Sequence, residues 1–193
     1  MSASKIFLKL VLILGLSGFS LTSLSANQNF HSFSINYVSW VELLDLELGL
    51  ARADGFAQFF GNSISYEYES YKSNWGHSLQ ATGMTGMANG GETGLALSYQ
   101  QSNIKWSGAS ASVKYGYRPS GFTAFLLGPI ALVRQISWPD QASVSAKSGH
   151  TSNVGAVFAM KIRPAYNWEI NQELGTLFIK SATYWSVGLG YKF

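Results

Sequence analysis

No cysteine occurs in this sequence, which excludes a disulfide framework, a thiolate nucleophile and a cysteine-based metal centre. Charge is also scarce: Asp, Glu, Lys and Arg together make up 12% of the residues, against about 25% in soluble domains. Long apolar runs are missing too. The one apolar stretch, Ile6 to Leu16, falls short of the roughly 20 residues that a membrane-spanning helix needs. Nothing after Ala26 offers another, so any crossing of a membrane by the rest of the chain must use strands. The formal charge of +3 includes Lys5 and Lys9 and drops to about +1 without them, which gives nucleic-acid binding no support.

What is present is more specific. Lys5 and Lys9 flank or interrupt the apolar run, and Ser23-Leu24-Ser25-Ala26 places small residues three apart. A basic segment, an apolar segment and a small-residue cut after Ala26 predict a cleaved secretory signal peptide over 1–26 and one mature domain over 27–193. At the other end, Trp185, Val187, Leu189, Tyr191 and Phe193 share one parity, while Tyr184, Ser186, Gly188, Gly190 and Lys192 share the other. A period of two predicts a strand with one apolar, aromatic face and one small or polar face. Aromatics reach 15% and glycines number 20, a composition that fits strands facing lipid between aromatic girdles.

The same alternation recurs along the chain, separated by turn signals. Strands are expected at His31 to Leu44, Asn62 to Lys72, Trp75 to Thr85, Trp106 to Tyr117, Phe122 to Ser137, Ser152 to Arg163, Trp168 to Ile179 and the terminal segment. Ser73-Asn74, Arg118-Pro119-Ser120-Gly121 and Pro164-Ala165 read as short turns. Longer connections are expected near Ala53, over Met87 to Lys105, and over Trp138 to Gly149. Gly128-Pro129 suggests a bulge, because proline cannot donate to the ladder. The fold class is therefore all-β: an eight-stranded antiparallel up-and-down transmembrane β-barrel. Periodicity alone fits a soluble barrel of opposite polarity as well. The terminal aromatic, the signal segment and the charge on the polar face select the membrane form.

The terminal segment carries a sharper motif: polar Ser186, Gly188 two residues on, and aromatic Tyr191 and Phe193 at the third-last and last positions. In this the chain resembles the small eight-stranded bacterial outer-membrane β-barrels, the group of OmpX, the OmpA membrane domain and the OmpW-like proteins. The resemblance implies Sec export, delivery by periplasmic chaperones, insertion by the barrel-assembly machinery and contact with outer-membrane lipid and lipopolysaccharide. It also implies short turns on the periplasmic side and longer loops outside. It implies no activity, since one barrel hosts many functions.

The polar parity collects Glu42, Glu67, Glu69, Lys114, Arg118, Lys161, Arg163, Glu169 and Glu173. Buried charges must be paired, so an ion-pair network filling the lumen is expected. A narrow polar path for small solutes is the alternative. His150-Thr151-Ser152-Asn153 resembles the His-x-Ser-Asn segment of lipid A deacylases of the PagL type. By that resemblance His150 would activate Ser152, with Glu173 as the orienting acid. Against it, Glu173 has inward parity and Ser152 outward. His31 and His77 stand alone without metal-site spacing, and no cofactor is expected. Trp40, Trp75, Trp106, Trp138, Trp168 and Trp185 recur near strand ends and read as girdle anchors. The overall expectation is a monomer with a structural or surface-interaction role.

Overall fold

The computed structural model describes residues 27–48, 51–90, 104–137, 145–146, 150–179 and 182–193. The expected signal segment over 1–26 and the stretch from Leu95 to Tyr99 lie outside these. Nine strands form, in the order β1 Asn27–Leu48, β2 Ala51–Lys72, β3 Trp75–Gly90, β4 Ile104–Tyr117, β5 Thr123–Ser137, β6 Ser145–Ala146, β7 His150–Ile162, β8 Trp168–Leu177 and β9 Ala182–Lys192. All but β6 are staves of one wall. Each stave pairs antiparallel with the next stave along the chain, β5 with β7 across the intervening β6, and β1 pairs with both β2 and β9, which closes the ring at eight. Closure leaves no edge within the wall.

The ring is staggered. The ladder from Asn29 runs through Ser70, His77, Tyr115, Leu127, Phe158, Leu174 and Trp185, and it meets β1 again at Ser39. That offset tilts the strands by about 40° and sets an interior just wide enough for side chains.

Polarity runs inside-out. Ile35, Ile64, Leu127 and Leu189 are each at least 60% exposed, while Glu67, Glu69, Lys114 and Glu169 are nearly inaccessible. So large an apolar band would precipitate a soluble monomer, and it matches a barrel wall facing hydrocarbon. Near the turns it is edged by rings in mutual contact. Trp75 stacks on Tyr115 at 5.7 Å, Trp168 meets Tyr191 at 5.4 Å, and Phe193 stacks on Phe33 at 5.8 Å.

Several sequence expectations need correction. The first hairpin has no long connection near Ala53, because Ala53 pairs with Leu46 and the two strands run on to Leu48 and Ala51. The alternation Leu44-Asp45-Leu46-Glu47-Leu48 already carried that strand signal. Likewise β3 continues to Gly90, which shortens the expected loop from Met87. The segment from Trp138 contributes β6, which pairs with Leu46 and Glu47 on the edge of β1 that β9 leaves open above Val41. Gly128-Pro129 makes no bulge. Ser112 pairs with Ile130 and Tyr115 with Leu127 in one unbroken register, and only the two bridges between are missing. A Cβ at Gly128 would fall 1.9 Å from the Val113 carbonyl oxygen, so glycine allows the strands to close up where proline cannot bond. Ser73 turns the β2–β3 hairpin with φ 59°.

Candidate functional site

Among the described side chains, charge concentrates in the interior, which is built in floors. Along β1 from the turn end, the inward side chains are Phe30, Ser32, Ser34, Asn36, Val38, Trp40 and Glu42. Each step marks a change in chemistry completed by the other staves.

The lowest charged floor brings together seven of the nine charged residues expected inside; Glu42 sits higher, on Arg134, and Arg118 lies at the turn end. Lys161 Nζ lies 2.6 Å from both Glu67 and Glu69, and 3.8 Å from Glu169. Arg163 bonds Glu69 at 2.8 Å and Glu169 at 3.3 Å. Lys114 reaches Glu173 at 2.7 Å and Glu67 at 3.3 Å, and it also donates to Gln80 Oε1 at 3.0 Å. Tyr71 donates its hydroxyl to Glu69 at 2.6 Å. β2 supplies Glu67 and Glu69 two residues apart, so period two aims both inward; Lys161 on β7 and Arg163 just past its end keep that spacing, and on β8 Glu169 and Glu173 share parity four apart. Desolvating any of these ions singly costs several kcal/mol, and the cross-wall pairing offsets it.

Above lies a neutral polar floor. Asn36 Nδ2 donates toward the Ser34, Ser63 and Ser65 hydroxyls at 3.2, 3.3 and 3.1 Å, and Ser65 and Thr82 share a 2.8 Å bond. Next comes an apolar floor. Trp40 stacks on Phe59 at 4.9 Å, and Trp106 meets Trp40 edge-on at 4.5 Å. Val38, Met84, Ile130, Leu132, Val157 and Leu177 pack with them. Trp106 Nε1 donates to the Met87 carbonyl at 2.9 Å and to that of Phe60 at 3.3 Å. Inward-facing Gly61 and Gly86 oppose each other there and leave the wall bare beside the indole.

A last pair closes the top. Arg134 grips Glu42 with Nη2–Oε1 at 2.6 Å and Nε–Oε2 at 2.7 Å, a two-pronged geometry suited to guanidinium and carboxylate. The Arg134 guanidinium also sits 4.9 Å over the Phe59 ring.

Trp40 and Trp106 are therefore not girdle anchors. Their even parity, shared with Asn36 on β1 and Lys114 on β4, places them inside. Arg134 escaped the sequence reading because β5 is apolar on both faces; its parity with Leu126 and Ile130 was the available signal. Ser186 and Gly188 face the lumen, whereas Tyr191 and Phe193 face out. A Cβ at Gly188 would fall 2.1 Å from Asn36 Oδ1, so the motif's glycine makes room for the polar floor.

The lumen is sealed among the described residues. Val38, Trp40, Lys114 and Lys161 are 0–1% accessible, and a water-filled path past them would wet them. The deacylase-like set is divided by the wall. Ser152 is exposed on the outer face of β7, while Glu173 is buried inside on Lys114. The side chain of His150 lies outside the described residues. No group of three metal-ligating side chains occurs among the described residues.

No family model matches the chain, and no curated protein matches it. Among solved structures, the outer membrane protein OprG from Pseudomonas aeruginosa aligns with a TM-score of 0.50 at 10% identity, over 88% of this chain and 98% of that one. The chain has the fold of the small outer-membrane β-barrels. Ail, the attachment invasion locus protein of Yersinia pestis, aligns at 0.49 with 16% identity over 86% and 99% of the two chains. Neisserial surface protein A aligns at 0.47 with 13% identity over 86% and 97%. At such identities the likeness of this barrel to its neighbours is one of fold, and no residue's role passes across it.

Proposed function

We propose that this chain is an integral outer-membrane protein with a structural or surface-interaction role and no through-path for solutes. The supporting observation is the sealed stack of ionic, hydroxyl, aromatic and ionic floors inside an apolar wall. Such a stack gives rigidity without conduction. On this reading residues 1–26 direct Sec export and are removed. Periplasmic chaperones and the barrel-assembly machinery then deliver and insert a monomer through Ser186, Gly188, Tyr191 and Phe193. The turns at Ser73, Arg118 and Pro164 face the periplasm. Lipopolysaccharide surrounds the opposite end, where the β1–β2 hairpin and the segments after β3 and β5 carry recognition.

Three measurements test this. The protein should fractionate with outer membranes and migrate faster unheated than boiled on a denaturing gel. In planar bilayers the refolded barrel should show no unitary current steps; regular steps would overturn the sealed reading. Ser152→Ala should leave the lipid A acylation pattern unchanged by mass spectrometry, since Glu173 lies on the other side of the wall from Ser152.

A further inference from the structure

Beneath the ionic floor, at the turn end, the barrel opens into a cavity of about 800 Å³ lined by Phe30, Arg118, Phe122, Arg163, Tyr166 and Lys192, among others. Three of these six are cations, and they converge on one neutral ring. The Phe30 centroid lies 4.3 Å from Lys192 Nζ, 4.9 Å from the Arg118 guanidinium carbon and 5.6 Å from that of Arg163. Only Arg163 has carboxylate partners, Glu69 and Glu169. Among the described residues no carboxylate pairs with Arg118 or Lys192. The hydrogen bond Arg118 does make, from Nε to the Ser120 carbonyl at 3.2 Å, neutralises nothing.

Arg118 is 95% buried, being 5% accessible, and Arg163 is 4% accessible; the Nη1 atom of each has no hydrogen-bond partner. A buried, unpaired guanidinium N–H costs more than an exposed one, and cation–π contact offsets only part of it. Burial, and then the charge of Arg163, draw Arg118 below its ordinary pKa, as expected where positive charge is in excess. Lys192 is held by rings, lying 4.9 Å over Tyr166 as well as over Phe30. Two uncompensated cations line the hollow, two orphaned guanidinium donors are buried beside it, and together they point to what is missing: a compact oxyanion of about two negative charges. Phosphate matches the donor geometry that guanidinium presents.

We propose that the turn-end cavity is a phosphate-binding site in which Arg118, Arg163 and Lys192 hold the oxyanion beneath Phe30. The phosphate is either the free ion or the head group of a lipid reaching over the rim.

The test uses the full mature barrel, refolded in a neutral detergent. Titration with inorganic phosphate should saturate in calorimetry and raise the unfolding temperature, an effect chloride at equal ionic strength does not give. Arg118→Gln and Lys192→Gln should each weaken binding at least tenfold. Lys72→Gln, which removes an exposed cation at the same end, should leave it unchanged. For the lipid source, native mass spectrometry of barrel in micelles doped with phosphatidylglycerol should show one retained lipid, lost in both cavity variants. Saturation by free phosphate alone or by the lipid alone supports the site and names its source. Absence of both, or equal loss in Lys72→Gln, overturns it. If a cavity variant fails to fold, the wild-type barrel decides by itself through its phosphate-dependent unfolding temperature and its retained lipid, and absence of both overturns the site.

Discussion

At the scale of single residues, the interior is governed by what each side chain leaves for its neighbour. Lys114 holds Glu173 and Glu67 at once; Lys114→Met leaves Glu67 its bond to Lys161 but strands the buried Glu173 carboxylate. That change should cost about 3–5 kcal/mol in urea unfolding from micelles, and adding Glu173→Gln should recover part of it, the mark of a coupled pair. Gly188 shows the opposite dependence, on absence. Gly188→Val should drive a branched side chain into Asn36 and destabilise by about 3 kcal/mol or more, seen as loss of the fast-migrating folded band. A second readout separates that packing role from recognition by the assembly machinery. Refolding of Gly188→Val from urea into micelles needs no machinery and should be impaired as well.

These inward residues were legible in the sequence to the extent that parity was followed. Glu67 and Glu69, like Lys161 and Arg163, announce themselves by charge at spacing two, and Glu169 and Glu173 by charge at spacing four, on one parity. Trp40 and Trp106 obey the same rule but carry the chemistry of an interface anchor, so residue type and parity point in different directions. Inside a barrel parity wins, because a strand cannot turn one side chain around without shifting all of them. Arg134 was hidden for the converse reason, as one charge in an otherwise apolar β5. Which cation meets which carboxylate was not legible at all. Arg134 and Glu42 are 92 residues apart, and only the stagger of the closed ring brings them face to face.

At the scale of elements, the eight staves and the three tight turns could be read from alternation and turn chemistry, while at the upper end of the first hairpin turn residues masked an alternation that was there. β1 and β2 outrun their barrel partners because they bond mainly to each other above the rim. Sequence reading tends to end a strand where turn residues appear, and Asp54-Gly55 is such a signal; pairing with Leu44 and Asp45 overrides it. β6 follows from this overrun. The free edge of β1 above Val41 invites pairing, and Ser145–Ala146 supplies it. Ala146→Pro, which removes an N–H, should leave the melting temperature of the barrel within about 2 °C. It should quicken protease cleavage in the segment between β5 and β7, monitored by fragment mass. A fall of the whole melting temperature would mean that β6 belongs to the cooperative core.

At the scale of the whole molecule, the apolar and ionic floors divide the work. Within the Trp40–Phe59–Trp106 cluster, Trp106 donates only to main-chain carbonyls, so Trp106→Ala should cost about 3–5 kcal/mol by cavity formation and the loss of those bonds. That penalty should be nearly independent of salt in equilibrium unfolding. A strong salt dependence would show that the ionic floors respond to the cavity, and that the stack is one unit.

The long first hairpin has a mechanical consequence. From Glu42 to Leu48 the strand continues roughly 20 Å past its last bond to β9, paired with β2 the whole way and braced by β6. A force applied near its tip travels down two continuous main chains into the cylinder, with no hinge in the described segments to absorb it. Grip strength at such a tip would then be limited by the resistance of the barrel to being pulled apart.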